Sequence, residues 1–375
     1  MKIKKIYLFA AAALALASCS SSDELGGSTS SQKAIQFAAP FVGKTRATGD
    51  LDVNTIQNAK VSVWGDQYVN SYNEDNSKSV FNGGMATLSY NTTSTNWDLN
   101  KIAFWEDGYK YDFTAVAPAA AEDGFKAAYS KGLLTISNIP VVQTIGNGDV
   151  KGGDDILVAT KTGLDSSMGD VQLSFRHILS RFSIYAYTSM GEENPVTITK
   201  LTLYMPKATA TYQQNSHNDG AVSGSDTWAW TGFTNSTTAT KAEDLKNSYE
   251  AYEVITEANK MNVTYNASAS SVLNDIKLVT EKTKYLCPKE FFIAPTALDA
   301  PASTESLQLY MDITYEMDGV HEEKFVPVQD LHAFKQGYQT NLIISIENKP
   351  QQPVSFTNFS VNSWIDSNSN TTVIQ

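Results

Sequence analysis

The sequence predicts an all-β protein of the sandwich class. Two observations carry that reading. Apolar and polar side chains alternate with a period of two in run after run, and the runs are separated by clusters of Gly, Asn, Asp, Ser and Pro. With 42% hydrophobic and 11% aromatic residues in a chain of 375, there is ample material for a core, and the length suits about two domains.

Taken in order, residues 61–64, 111–116, 133–139, 155–160, 171–175, 181–187 and 196–204 read as strands. Turn clusters such as Asn82-Gly83-Gly84, Gly146-Asn147-Gly148 and Lys151-Gly152-Gly153-Asp154 punctuate them. Further on, Leu307, Leu309, Met311, Ile313 and Tyr315 alternate with Gln308, Tyr310, Asp312 and Thr314. Tyr338, Thr340, Leu342, Ile344 and Ile346 repeat the pattern, and both runs read as half-buried strands. Many short strands with turn punctuation are the signature of a β-sandwich.

One stretch departs from the pattern. Residues 241–260 contain neither Gly nor Pro, and Leu245, Tyr249, Tyr252 and Ile255 keep spacings of four and three, so a peripheral helix is expected there, with a charged loop insertion as the alternative. A domain boundary is expected at the turn-rich Gly191-Glu192-Glu193-Asn194-Pro195, giving units 47–191 and 192–375.

The front of the chain is built for export. Lys2, Lys4 and Lys5 precede an apolar run over residues 6–17, too short to span a bilayer comfortably, and Leu16-Ala17-Ser18-Cys19 closes it. A signal peptide over 1–18 is therefore expected. A small-residue site ending on Cys resembles the bacterial lipobox, which implies that Cys19 is lipidated and becomes the N-terminus. Two or more acyl chains of the palmitate kind hold a protein stably on a membrane, at about 0.8 kcal/mol per buried methylene. The polar stretch that follows reads as a tether. Its Asp23-Glu24 pair is either a surface-sorting signal or simply good linker composition.

Charge narrows the partners. The formal net charge is −12, and residues 1–46 hold six of the basic residues against only Asp23 and Glu24, so a chain beginning at Ala47 would carry 22 basic and 38 acidic side chains, net −16. Such a surface does not suit nucleic acid. Beyond Cys19 the only cysteine is Cys287, read as a small buried apolar side chain, so stability must come from packing rather than from a disulfide.

The search for chemistry is mostly negative. His177, His217, His321 and His332 are scattered without metal-ligand spacing, and no Gly-x-Ser-x-Gly elbow, phosphate loop or His-Glu-x-x-His motif occurs. Asp149, Asp154 and Asp155 around Gly152-Gly153 could hold calcium, although a carboxylate-rich turn on an acidic protein is usually just solvated. His177 reads as a structural histidine at a corner. Trp228 and Trp230 share one face of a strand, which suits core packing better than a sugar platform. No enzyme, metal or cofactor is called for.

Several short motifs in order carry a family resemblance: the lipobox, Ile35-Gln36-Phe37, Thr45-Arg46-Ala47, Asp154-Asp155-Ile156-Leu157-Val158-Ala159, Phe175-Arg176-His177-Ile178-Leu179-Ser180-Arg181, Lys335-Gln336-Gly337-Tyr338 and the late Trp364. Together they resemble the fimbrillin family, subunits of type V pili in anaerobic Gram-negative bacteria. The resemblance implies two transthyretin-like β-sandwich domains in series. It also implies export as an outer-membrane lipoprotein, cleavage between Arg46 and Ala47 by an Arg-specific surface protease, and loss of the strand that carries Ile35, Phe37 and Phe41. Arg46 is the only arginine between Cys19 and Arg176, and its small neighbours keep it accessible.

An emptied groove would recruit a strand from another subunit, and the head-to-tail contact would propagate as a cell-surface fimbrium serving adhesion. The C-terminal Val373-Ile374 run is the candidate donor, but a strand confined to residues 371–375 would fill only part of the groove, so more of 354–375 would have to move. The implied partners are other pilus subunits, the protease, the outer membrane before processing, and an adhesion ligand the sequence does not identify. The alternative from another class is a tethered surface glycan-binding lipoprotein. It shares Cys19 and the sandwiches but has no use for Arg46.

Overall fold

The computed structural model describes residues 33–42, 55–120, 124–145, 155–188, 192–217, 228–231, 239–265, 284–286, 290–294, 309–328, 336–346, 354–356 and 360–363. Cys19, Arg46, Ala47, Asp149, Asp154, Cys287, His332, Trp364, Val373 and Ile374 lie outside them. The described residues are all-β, with short 3-10 turns at Ile56–Asn58, Ala242–Leu245 and Glu257–Asn259 and no α-helix.

Four sheets make the body. The first runs in the order Phe41–Val42, Ser174–His177, Leu157–Leu164, Lys110–Ala117, Val61–Tyr68, Ala86–Asn91 and Asn96–Leu99, with Lys78–Ser79 also on Val61–Tyr68. The second joins Trp228–Thr231, Thr209–Asn215, Leu133–Pro140 and Lys126–Ser130. The third is centred on Ser180–Thr188, which pairs in parallel with Tyr338–Ile346 and antiparallel with Glu290–Ile293. The fourth joins Tyr249–Ile255, Val196–Pro206, Leu309–Met317 and Val320–Val328, all antiparallel. Two sheets draw strands from both sides of residues 191/192: Leu133–Pro140 pairs with Thr209–Asn215, and Val142–Ile145 pairs with Glu290–Ile293.

The central strands of the first sheet, Lys110–Ala117 and Val61–Tyr68, are buried on both faces, whereas the outer strands are buried on one. On Lys110–Ala117, the side chains of Tyr111, Phe113, Ala115 and Ala117 enter one core cluster, while Val116 enters another together with Trp64 and Val158. Gly65 lies opposite Phe113 across the ladder, and a Cβ there would sit 2.8 Å from the Phe113 ring. The glycine makes room for the aromatic to lie over the strand.

The helix expected over 241–260 does not form. Tyr249–Ile255 is an edge strand antiparallel to Val196–Pro206, flanked by the two short 3-10 turns. The strand completes the edge of the fourth sheet and buries Tyr249 and Ile255, while Leu245 is buried from the 3-10 turn before it. Leu245 and Tyr249 cluster with Ala239 and Tyr310. For the same reason Leu309–Met317 is buried on both faces rather than half-buried: Leu309, Met311 and Ile313 enter the main core while Tyr310 enters this second cluster.

Candidate functional site

Residues 33–42 run as an extended segment along the edge of the first sheet, and they change neighbours halfway. At the start the segment pairs antiparallel with residues 103–105: Ile35 N–H donates to the Ala103 carbonyl at 2.9 Å, and Trp105 N–H to the Lys33 carbonyl at 2.9 Å. It then turns parallel to residues 171–175: Ala38 N–H donates to the Val171 carbonyl at 3.0 Å, Val171 N–H to the Gln36 carbonyl at 2.8 Å, and Phe41 N–H to the Leu173 carbonyl at 2.8 Å. Two side chains add clips, Lys33 Nζ to the Met168 carbonyl at 2.7 Å and Gln172 to the Ala39 carbonyl. Pro40, which lacks an N–H, is tolerated at such an edge.

The inward residues are Ile35, Phe37, Pro40 and Val42. Ile35, Phe37 and Val42 belong to the same core cluster as Phe113, Val171, Leu173 and Phe175, and Phe37 meets Phe113 edge-on at 5.3 Å and 79°. Phe41, grouped by sequence with Ile35 and Phe37, is 60% exposed. The alternation slips by one position at Ala38-Ala39, so Phe41 faces solvent and Pro40 and Val42 face the core. Strand periodicity alone could not have located that slip.

Elsewhere the candidate residues resolve into structure rather than chemistry. Asp155 is fully buried, its carboxylate 2.9 Å and 3.0 Å from His177 Nδ1. The pair fixes the corner between Ser174–His177 and Ser180–Thr188, as expected of a structural histidine. Trp228 and Trp230 do share one face, and both pack on Tyr212, at 6.4 Å and 5.1 Å between ring centroids. Trp230 is only 7% exposed, so the pair forms core rather than a sugar platform. His321 lies in Val320–Val328, opposite Glu316 in the ladder.

Sequence reasoning missed a polar cluster between the first two sheets. His217 Nδ1 lies 2.6 Å from Asp112 Oδ2, and His217 Nε2 lies 3.7 Å from Asp66 Oδ2. The Tyr68 hydroxyl and the Gly163 N–H donate to Asp112 Oδ1 at 2.8 and 2.7 Å, and the Tyr129 hydroxyl donates to Asp66 Oδ2 at 2.6 Å. Burial pushes the Asp66 carboxyl above the usual carboxylate range, against the lowering effect of the Tyr129 hydrogen bond. Burial likewise raises the Tyr68 and Tyr129 phenols, reinforced by the neighbouring carboxylates. These residues come from five separate stretches of chain, and polar types within strands, with a histidine just past the end of one, were the only available signal.

Asp112 Oδ2 and Asp66 Oδ2 tie the first sheet to His217 and to Tyr129 of the second, and among the described residues no group of three or more His, Cys, Asp or Glu is arranged to hold a metal ion. The fold is of the all-β sandwich type, with its core closed at one edge by residues 33–42. The Fimbrillin-like family model matches residues 45–364, and the chain belongs to that family. Membership makes it a structural protein of the fimbrial type rather than an enzyme.

Among solved structures, a protein from Bacteroides uniformis described as a cell-adhesion protein is 16% identical at a TM-score of 0.44, covering 90% of this chain and 99% of that one. A cell-adhesion protein from Bacteroides ovatus is 15% identical at 0.42, covering 89% and 99%. A fimbrial assembly protein from Parabacteroides distasonis is 10% identical at 0.35, covering 88% and 99%. At these scores the likenesses carry no weight, and the assignment rests on the family match. No curated protein matches the sequence.

Proposed function

We propose that this protein is a pilus subunit exported as a lipoprotein on Cys19, cut between Arg46 and Ala47, and polymerised by strand exchange. The observation that carries the reading is the 33–42 segment: it seals an apolar groove with Ile35, Phe37 and Val42 yet forms only the sheet edge, a few residues before Arg46. Its departure would expose the apolar walls around Phe113, Val171, Leu173 and Phe175 together with unpaired backbone at Ala103, Val171 and Leu173. Such an edge is a template for an added strand. One groove and one donor per subunit give a head-to-tail contact that does not close, and so a filament.

In this reading residues 1–18 are removed as signal peptide, 19–46 are tether and removable strand, and 47–191 and 192–375 are two transthyretin-like units in series. The precursor sits in the outer membrane through its lipid, and the mature subunit sits in the fimbrium with other subunits. The test is Arg46→Ala in the producing cell. The lipidated precursor should accumulate and surface filaments should disappear; filaments at the wild-type level would overturn the reading. Burial of Trp230 and its packing with Trp228 on Tyr212 count against this pair as a sugar platform, which favours the pilus reading over a tethered glycan binder.

A further inference from the structure

The outward face of the 33–42 segment carries no charge, on a protein whose formal net charge is −12. Between its inward residues the segment turns Ala34, Gln36, Ala39 and Phe41 outward. The flanking backbone continues the same face. Residues 103–105 pair with the start of the segment through the Ala34–Phe104 bridge, and they leave Ile102 and Phe104 outside while Ala103 and Trp105 enter the core. On the other flank Phe41 lies beside Ser174, and Gln172 reaches the Ala39 carbonyl.

Three large apolar side chains are therefore presented together with small and uncharged ones. Ile102 is 82% exposed, Phe104 44% and Phe41 60%. Charged residues stand at the rim: Lys33 and Glu106 at one end, and Lys101 next to Ile102. The Lys33 and Lys101 ammonium groups are held there by the Met168 and Asn82 carbonyls. Exposed apolar surface with a polar rim marks a contact with a protein or a membrane.

Two observations choose between those occupants. The first is position in the chain. Cys19 stands fourteen residues ahead of Lys33, so at full extension the chain between them reaches at most about 50 Å, and a lipid on Cys19 keeps this face beside a bilayer. The second is timing. Ala34, Gln36, Ala39 and Phe41 belong to the segment that a cut after Arg46 would release, so the face is whole only before processing. A contact between mature subunits would lose the middle of its surface, whereas a contact with the membrane is needed only while the precursor is anchored.

We propose that Phe41, Ile102 and Phe104 form a membrane-docking face, through which the anchored precursor lies against a phospholipid bilayer. The inference rests on the lipoprotein reading and adds to it a second, protein-borne membrane contact. Three side chains are a weak membrane binder alone, but the anchor makes the contact intramolecular, so a weak attraction holds it closed. Docked in this way, the bilayer covers the outer side of the 33–42 segment and keeps it seated. Cleavage after Arg46 removes the anchor and the middle of the face in one step.

The test uses the acylated chain from Cys19 onward in phosphatidylethanolamine–phosphatidylglycerol vesicles whose acyl chains carry bromine, a short-range quencher of tryptophan fluorescence. Ile102→Trp places a reporter in the face, and Val320→Trp, at the exposed end of the hairpin formed by Leu309–Met317 and Val320–Val328, is the control. Each signal is read as the difference from wild type. The reporter at 102 should lose about half its fluorescence or more relative to unbrominated vesicles, because an interfacial apolar face sits about 5–10 Å into the headgroup and acyl boundary. The control should keep its fluorescence. Adding Phe41→Ser and Phe104→Ser to Ile102→Trp should lower the docked-to-undocked ratio at least about tenfold, the scale of returning one apolar side chain to water. Both residues are exposed, so the fold tolerates the changes.

No quenching at 102, or equal quenching at 102 and 320, would overturn the proposal. So would a chain from Ser20 onward that sediments as a dimer and becomes monomeric with Phe104→Ser, since the face would then belong to a second copy. Intact mass separates the two readings. A chain recovered from the producing cell without acyl groups on Cys19 would overturn the lipoprotein reading and the docking face with it, whereas an acylated chain with an unquenched reporter would overturn the docking face alone.

Discussion

Replacing Phe37 by Ala should loosen the 33–42 segment without unfolding the sheet beneath it. Phe37 is 6% exposed and meets Phe113 edge-on at 5.3 Å, and Phe113 is held over the strand at Gly65. Truncating a buried Phe to Ala typically costs about 3–5 kcal/mol. Because the segment is an edge element that opens by itself, the loss appears as local opening rather than global melting. Taking about 3 kcal/mol, with about 1.4 kcal/mol per factor of ten, the opening constant should rise by roughly a hundredfold. Native-state hydrogen exchange reads this at two amides, Ala38 N–H on the Val171 carbonyl and Phe41 N–H on the Leu173 carbonyl. Both should lose about two decades of protection while amides in Lys110–Ala117 keep theirs. The exposed Phe41 is the control, and Phe41→Ala should change protection by less than about threefold, as surface substitutions do. A change below about threefold for Phe37→Ala, or an equal loss across the whole sheet, would refute the idea of an independently releasable segment.

Other consequences are more local. Asp66→Asn should flatten part of the pH dependence of stability. A carboxyl raised by burial holds its proton longer in the folded chain than in the unfolded one, so wild type loses stability as pH rises from the ordinary carboxylate range through the raised value; urea denaturation across that range should show a smaller loss for the variant, and an identical slope would contradict the assignment. Gly132→Ala should destabilise by about 1–3 kcal/mol, read as a lower denaturation midpoint, because its φ is +77° and a Cβ would sit 2.1 Å from His217 Nε2. Trp230→Ala should cost about 3–5 kcal/mol by the same measurement, whereas a cost under about 1 kcal/mol would mean the ring is not part of the core.

The all-β class was legible because alternation survives wherever a strand has one buried face, and Tyr338–Ile346 was read to its full length. Strands such as Lys126–Ser130 and Thr209–Asn215 were missed because Ala, Gln, Asn and Thr give little hydrophobic contrast. The 241–260 stretch misled for a different reason: spacings of three and four occur by accident in a strand flanked by turns, and the tertiary neighbour Val196–Pro206 decided the outcome. At the candidate site, Ile35 and Phe37 were legible as an apolar pair two residues apart, but the outward turn of Phe41 was not. It depends on where the segment changes neighbours, and residues 103–105 and 171–175 are distant in sequence. The Asp66, Asp112 and His217 cluster was hidden for the same reason, since only the stacking of two sheets brings it together.

The measurement that bears most directly on the central claim is limited digestion of the chain from Ser20 onward with an Arg-specific protease, followed by N-terminal sequencing and electron microscopy. The account predicts a new terminus at Ala47 together with filaments or denaturant-resistant ladders. A chain left intact at Arg46, or one cut cleanly there that stays monomeric at high concentration and takes up no strand peptide, would contradict it.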